Sequence, residues 1–248
     1  MKLTILGFYG GYPAHEIGTS SYLIQSNGFN LLLDCGSGAM LSLEQKLNPL
    51  NLDAVVLSHY HQDHIADVGV LQYDWQINGD EVSEALPIYG PKINQEAFGK
   101  LTWADATVGI GYTNGEVVEI GPFIFEFIET IHPVPAYAMK ITERATGKVF
   151  VFTADTAYDE KLNTISQNAD LLMTDTNFFN DKVGKKWHMT AGESGKFARV
   201  NHVKRLLLTH LPAKGSHELL KQQAELEAGE DVTVLLAKKY LNVILYNK

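Results

Sequence analysis

Four short hydrophobic runs in this chain each stop at a side chain able to hold a metal ion, and few folds accommodate that pattern. Leu52-Asp53-Ala54-Val55-Val56-Leu57-Ser58 runs into His59-Tyr60-His61-Gln62-Asp63-His64. Phe123-Ile124-Phe125-Glu126-Phe127-Ile128-Glu129-Thr130-Ile131 runs into His132, Lys148-Val149-Phe150-Val151-Phe152-Thr153-Ala154 into Asp155, and Arg205-Leu206-Leu207-Leu208-Thr209 into His210. Such short, apolar, β-branched or aromatic runs read as buried strands. In open α/β sheets the C-terminal lip of a buried strand is where reactive groups gather, because the strand holds them rigidly at a crevice.

His59, His61, Asp63 and His64 pack three imidazoles and a carboxylate into six positions, in a chain with nine histidines among 248 residues. Composition alone gives such a run in roughly 6 of 10,000 chains of this make-up. His and Asp are poor strand and helix formers and costly to bury without partners, whereas a divalent ion wants these nitrogen and oxygen ligands. One histidine after one strand is ordinarily a hydrogen-bonded loop residue. Four such exits in one chain point to a metal site.

A hydrophobic content of 45% suits one α/β domain, or two small halves sharing a core. No stretch approaches the roughly 18 apolar residues of a membrane span, and Met1-Lys2-Leu3-Thr4-Ile5-Leu6-Gly7 reads as a strand rather than a signal peptide. Cys35 is the sole cysteine, so an intramolecular disulfide is excluded and a reducing, cytoplasmic location fits. Net charge is −9, which argues against broad electrostatic capture of nucleic acid. Two divalent ions would bring it to about −5 and leave room for a small anionic substrate.

Strands are expected near 2–7, 20–25 and 29–34, a helix near 37–47, a strand at 53–58, a helix near 65–77 and a short strand near 86–90. A β-rich stretch covers 116–154, followed by a helix near 159–167, a strand at 170–174, a helix near 190–200 and a strand at 204–209. A helix near 216–228 and strands near 232–236 and 240–246 close the chain. This order suggests two similar halves packed sheet to sheet with helices outside. Gly99 to Gly115, punctuated by glycine and Asn-Gly, reads as turns or a flexible rim.

His-x-His-x-Asp-His after a buried strand, then an isolated His, Asp and His at strand ends, resembles the metallo-β-lactamase superfamily over most of the chain. Gly10-Gly11-Tyr12-Pro13 and Leu31-Leu32-Leu33-Asp34-Cys35-Gly36-Ser37-Gly38 are also similar to that family. The resemblance implies an α/β fold: a four-layer αββα sandwich of two mixed β-sheets packed face to face with helices outside. Residues 1–248 would form a single domain of two similar halves. The metal site would lie in the cleft between the sheet edges, with one ion held by His59, His61 and His132 and a second by Asp63, His64 and His210. Asp155 would bridge the two. Asp34 either supports the metal loop, as its counterpart does in relatives, or caps a turn. His61 stands where redox diiron relatives usually carry Glu, which favours hydrolysis, and His64 departs from many true β-lactamases.

The second half is similar to the ribonuclease Z and small phosphodiesterase branch. Ala169-Asp170-Leu171-Leu172-Met173-Thr174-Asp175 resembles its apolar strand ending in a Glu-containing motif, and His188-Met189-Thr190-Ala191 resembles its His-Ser-Thr motif. Two features depart from the branch. Asp175 replaces Glu, and only 23 residues separate His132 from Asp155, too few for the tRNA-clamping arm that ribonuclease Z often inserts there.

The function implied is a hydrolase with two divalent metal ions, a phosphodiesterase cleaving a cyclic nucleotide or short nucleic-acid phosphodiester through a metal-bridging hydroxide. A tRNA 3′-end endonuclease, or a thioesterase or lactonase on the same ions, stays open. A non-enzymatic metal-binding protein is disfavoured, because seven convergent ligands leave coordination positions open. Zn²⁺ is the expected ion, with Mn²⁺ and Fe²⁺ left open by ligand type. Asp63 is expected to bind metal and orient the nucleophile, His188 to protonate the leaving alkoxide, and Asp175 to keep His188 protonated. Thr190-Ala191-Gly192-Glu193 reads as a capping box, so a helix should begin just after His188 and present its N-terminus to phosphate. The expected partner is a small phosphodiester or nucleotide. Extended nucleic acid is not favoured, a membrane is not expected, and a homodimer is implied by relatives alone. Lys182, Lys185 and Lys186 read as a solvated loop, and Trp75, Trp103 and Tyr112 as core aromatics.

Overall fold

The computed structural model of the chain describes residues 1–79 and 84–245, so position 246, the end of the last expected strand, lies outside the described residues. Among the described residues two sheets form. One runs, edge to edge, Asn242–Ile244, Lys2–Tyr9, Ser21–Ser26, Phe29–Cys35, Ala54–Val56, Leu86–Pro91 and Thr107–Tyr112, with the short strand Gly18–Thr19 beside Lys2–Tyr9. The other runs Thr233–Leu236, Arg205–Thr209, Leu171–Asp175, Val149–Phe152, Tyr137–Glu143, Phe123–Glu129 and Val117–Ile120. Each sheet joins an antiparallel meander to a run of parallel strands; the change comes at Phe29–Cys35 in the first sheet and at Val149–Phe152 in the second.

Strand alternation builds the layers. Leu31 and Leu33 point into a core shared with Phe125, Phe127, Phe150 and Phe152 of the second sheet. Leu32 of the same strand faces the other way, against Met40, Leu43, Leu71 and Trp75 of the helices Ala39–Glu44 and Val68–Asn78. The helices Ala191–Val200 and His217–Ala228 cover the outside of the second sheet through Phe197, Leu220 and Ala224. Two mixed sheets packed face to face with helices outside give the four-layer αββα sandwich that the resemblance implies. The sheets are also tied directly. Tyr112 stacks on Phe127 at 3.7 Å, and the Tyr22 hydroxyl lies 2.8 Å from Thr209 Oγ1, beside His210.

Gly99 to Gly115, read as turns or a flexible rim, has turns at 104–106 and 114–115 but between them the edge strand Thr107–Tyr112, paired in parallel with Leu86–Pro91. The two glycines of that strand, Gly109 and Gly111, serve packing. A Cβ at Gly111 would stand 2.8 Å from Lys92 Cβ, so the strand lies too close to its neighbours for a side chain there. The helix expected near 65–77 is split into Gln62–Ile65 and Val68–Asn78. That near 159–167 is a 3-10 turn, Glu160–Leu162, followed by Asn163–Ser166.

Among the described residues no helix is long and apolar enough to cross a membrane. Three strand exits share an unusual backbone. Asp34, Ala154 and His210 adopt left-handed φ values of 55°, 50° and 53°, which non-glycine residues rarely take and which collect at functional sites.

Candidate metal centre

The strand Ala54–Val56 ends one turn before His59, and the chain then folds into the helix Gln62–Ile65, so the cluster is carried on a loop and a helical turn. His59 and His64 are fully buried, whereas His61 and His132 reach a cavity of about 380 Å³. That cavity is lined by Gly11, Asp63, Asp155, Asn177, His188 and His210 among others. A separate, larger groove of about 930 Å³ lies between the helices Ala39–Glu44 and Val68–Asn78 and residues 13–18, and is lined by none of the convergent histidines 59, 61, 64, 132, 188 or 210.

All seven residues singled out as ligands come together, in two groups. In the first, His61 Nδ1 lies 3.1 Å from His59 Nε2 and 3.0 Å from His132 Nε2, and Asp155 Oδ2 stands 3.8 Å from each of those Nε2 atoms. Tetrahedral zinc with bonds of 2.0–2.1 Å would put its nitrogens about 3.3 Å apart, so the spacing is close to that of a filled site. In the second group, Asp63 Oδ2 is 3.1 Å from His210 Nε2, and Asp155 Oδ1 is 3.2 Å from His64 Nε2 and 3.3 Å from His210 Nε2. Asp155 thus offers one oxygen to each group.

His61 turns Nδ1 inward; behind the other four rings, other groups hold Nδ1 and leave Nε2 facing inward. The Asp34 carboxylate, 2.7 Å from His64 Nδ1, also accepts from the Ser58 N–H and from the Ser20 and Ser58 hydroxyls. This resolves the role of Asp34: it supports the metal loop. His59 Nδ1 meets Ser58 Oγ at 3.0 Å, and His132 Nδ1 faces Trp187 O at 3.4 Å. Asp175 Oδ1 lies 3.2 Å from His210 Nδ1, while its Oδ2 takes the Thr156 N–H and sits 2.7 Å from His188 Nδ1. Asp175 therefore steadies two imidazoles, one more than the sequence suggested. Asp155, Asp175, His188 and His210 also lie close enough together to hold an ion, but Asp175 meets the His188 and His210 rings through Nδ1, so it stands behind the second group as a support. Such supporting partners fix tautomer and ring orientation at metal sites.

The site fits cations. His64 Nε2 is buried and has no hydrogen-bond partner, a costly state that an ion would relieve. Burial, followed by the neighbouring imidazole of His64, pushes His59 well below its ordinary range, and burial also lowers His61 and His132. The first group is thus neutral and ready to ligate. In the second group burial also lowers the imidazoles but loses: Asp155 and Asp34 raise His64 to about 10, and Asp155 and Asp175 raise His210 well above its usual value. A cation entering there must displace protons.

His188 borders the cavity with its side chain 22% exposed. Burial lowers its pKa, but the Asp175 charge and hydrogen bond outweigh this and raise it. The capping box is present, with Thr190 and Glu193 bonded reciprocally at the start of Ala191–Val200. Lys186 pairs with Glu193, whereas Lys182 and Lys185 lie over the rings of Phe178 and Trp187. Trp75 and Tyr112 are core residues, and Trp103 is 39% exposed beside Tyr73, away from the cavity. Sequence reasoning missed Asn177 and Trp187. Asn177 Nδ2 donates to His210 O at 2.8 Å, and a Cβ on Gly10 would strike both Asn177 and the His210 ring. Its only signal in the sequence is proximity to Asp175.

Known proteins match this chain closely. The family model described as Metallo-beta-lactamase superfamily matches residues 16–172. The Bacillus subtilis protein named "Probable metallo-hydrolase YhfI" is 42% identical over 94% of this chain and 96% of its own length. Its crystal structure superposes with a TM-score of 0.93 at 41% identity, covering 98% of each chain. Ribonuclease Z of Archaeoglobus fulgidus is 27% identical over 88% of this chain and 89% of its own. The short form of human tRNase Z shares the fold at a TM-score of 0.76 and 19% identity, covering 100% of each chain.

Proposed function

The chain belongs to the metallo-β-lactamase superfamily, and from that premise we propose that this metallo-hydrolase cleaves small phosphodiesters at a dinuclear centre. The observation that carries the reading is Asp155 presenting one oxygen to each of two ligand groups, with His188 on Asp175 at the rim of the same cavity. His59, His61 and His132 would hold one ion and Asp63, His64 and His210 the other, with Asp155 shared. When bound, such ions supply a water activated near neutral pH and charge to stabilise the phosphoryl oxygens. Zn²⁺ suits the five imidazoles, and Mn²⁺ or Fe²⁺ suits the oxygen-richer second group.

The chain's own residues do the rest. The Gly11 N–H donates to Asp63 Oδ2 at 2.7 Å and fixes the carboxylate that orients the attacking group. With Nδ1 committed to Asp175, His188 has Nε2 left to give a proton to the leaving alkoxide, and the Asp175 charge favours the protonated form. A cavity of about 380 Å³ suits a nucleotide-sized substrate. The ribonuclease Z relative supports phosphodiester chemistry and makes tRNA 3′ processing the second reading. The acidic charge and the short His132–Asp155 segment speak for a smaller substrate. Protein loaded with Zn²⁺, Mn²⁺ or Fe²⁺ should hydrolyse bis(p-nitrophenyl) phosphate, and His59→Ala should abolish this. Turnover of thioesters or lactones alone would overturn the reading.

A further inference from the structure

We propose, resting on the phosphodiesterase reading, that a notch beside His61 holds the ester arm that stays on phosphorus, and that this arm ends in a flat, uncharged ring. The notch, of about 70 Å³, is walled by Tyr60, Pro91, Ile93, Asn94, Val134 and Pro135. It shares a wall with the metal cavity. His61 lines both, and one short segment divides between them: His132 and Pro133 line the cavity, Val134 and Pro135 the notch.

His132 decides which arm reaches the notch. Its Nε2 lies 3.0 Å from His61 Nδ1, while its Nδ1 faces the Trp187 carbonyl at 3.4 Å, next to His188. The notch and the proton donor therefore stand on opposite sides of the His132 ring. The arm that takes the proton from His188 departs on the Trp187 side, so the arm on the His61 side is the one phosphorus retains.

The lining sets the chemistry of that arm. Among the described residues no Asp, Glu, Lys or Arg lines the notch, so a charged group there would lose water and gain no partner. The Tyr60 hydroxyl is already spent on Pro91 O at 2.9 Å, which leaves its ring as apolar surface. Room for it is built in, since a Cβ on Gly90 would stand 2.5 Å from that hydroxyl. Pro133 and Pro135 stiffen the wall between notch and cavity, so the shape exists before a ligand arrives. Ile93 is 60% exposed, and an apolar ligand would cover it. Asn94 gives Oδ1 to the Ala97 N–H at 3.1 Å and keeps Nδ2 to donate.

Apolar walls with one donor fit a ring that has apolar faces and an acceptor at its edge, as a nucleobase has. The size agrees. A closed cavity of roughly 150 Å³ takes a benzene ring whole, and the notch, at about half that and open on one side, takes one ring part-way.

Phenyl p-nitrophenyl phosphate and methyl p-nitrophenyl phosphate share a leaving group and differ only in the retained arm. With the metal-loaded full chain, the phenyl-to-methyl ratio of kcat/KM should fall roughly 10-fold in Ile93→Asp, through KM, and be kept in Ile93→Leu. Metal content and melting temperature should match the wild type in both variants, because Ile93 is exposed and outside the ligand set. The same ratio in all three proteins would overturn the notch and leave the phosphodiesterase reading in place. Turnover of neither ester by the wild type would overturn that reading, and the notch with it.

Discussion

The parallel strands of the second sheet carry buried aspartates at both ends, one at the entry and several at the exit, and the two ends are built in opposite ways. At the entry end, Asp170 sits between Lys148 and Lys204, the residues just ahead of the two flanking strands, and its second oxygen takes the Val149 N–H at 3.0 Å. Charge and hydrogen bonding are complete there. At the exit end of the same strands, Asp155, Asp175 and Asp63 face six imidazoles, and buried His64 Nε2, His210 Nδ1 and Asp175 Oδ1 lie 3.2 Å from oppositely charged groups without a well-formed hydrogen bond. Unsatisfied buried polar atoms are costly, and the backbone at Ala154 and His210 is left-handed as well. The fold completes one end by itself. The other leaves buried polar atoms that a bound cation would satisfy.

The largest expected effects fall on the exit end. Asp155→Ala removes the oxygen offered to each group, so metal content should drop below two per chain and turnover by roughly 10³-fold or more. Elemental analysis beside kinetics checks this, and a variant that keeps two ions would break the contrast. Chelation should lower the melting temperature without unfolding the chain. Occupancy at about 100 times the dissociation constant contributes about 2.7 kcal/mol per ion. At about 2–4 °C per kcal/mol for a chain of this size, that is about 5–10 °C for each ion removed.

A smaller effect sharpens the role of Asp175. Its charge raises the pKa of His188, so the proton-donating form persists to higher pH in the wild type. Asp175→Asn removes that charge, and the falling alkaline limb of the kcat profile should move to lower pH. Turnover should fall by roughly 10²-fold. A limb that stays in place would assign the proton to another group.

Much of this centre was legible in the sequence because its parts are local. A buried strand followed by a ligand reads the same in one dimension as in three, and His59 to His64, His132, Asp155 and His210 each carry that signal. The support layer was less legible. Asp34 reads equally as a turn cap until its left-handed backbone and its 2.7 Å approach to His64 are seen. Asn177, Trp187 and Gly10 depend on contacts with residues far away in sequence, as when Gly10 leaves space for the His210 ring. The strand Thr107–Tyr112 was hidden for a related reason. Its glycines look like turn residues, and only the packing of Lys92 and Phe98 against them shows why they stand in a strand.

The smallest expected effect belongs to the entry end, where the contrast can be tested without metals. Burial raises the Asp170 pKa, but Lys204, the Val149 N–H and Lys148 outweigh it and hold the folded value below the usual 3.8. The stabilisation is therefore fully present above that unfolded value and is lost as pH falls through the lowered folded one. Lys204 is 63% exposed, so solvent screening limits the gain to about 1 kcal/mol. Denaturant titrations of the chelated protein at neutral and acid pH should show this loss in the wild type and a smaller one in Asp170→Asn, because amides do not titrate. With the ions already stripped, any difference between the two proteins reports on the entry cluster alone. An identical pH dependence would mean that Asp170 is no better satisfied in the folded chain than in the unfolded one, and the two ends of the sheet would not differ as described.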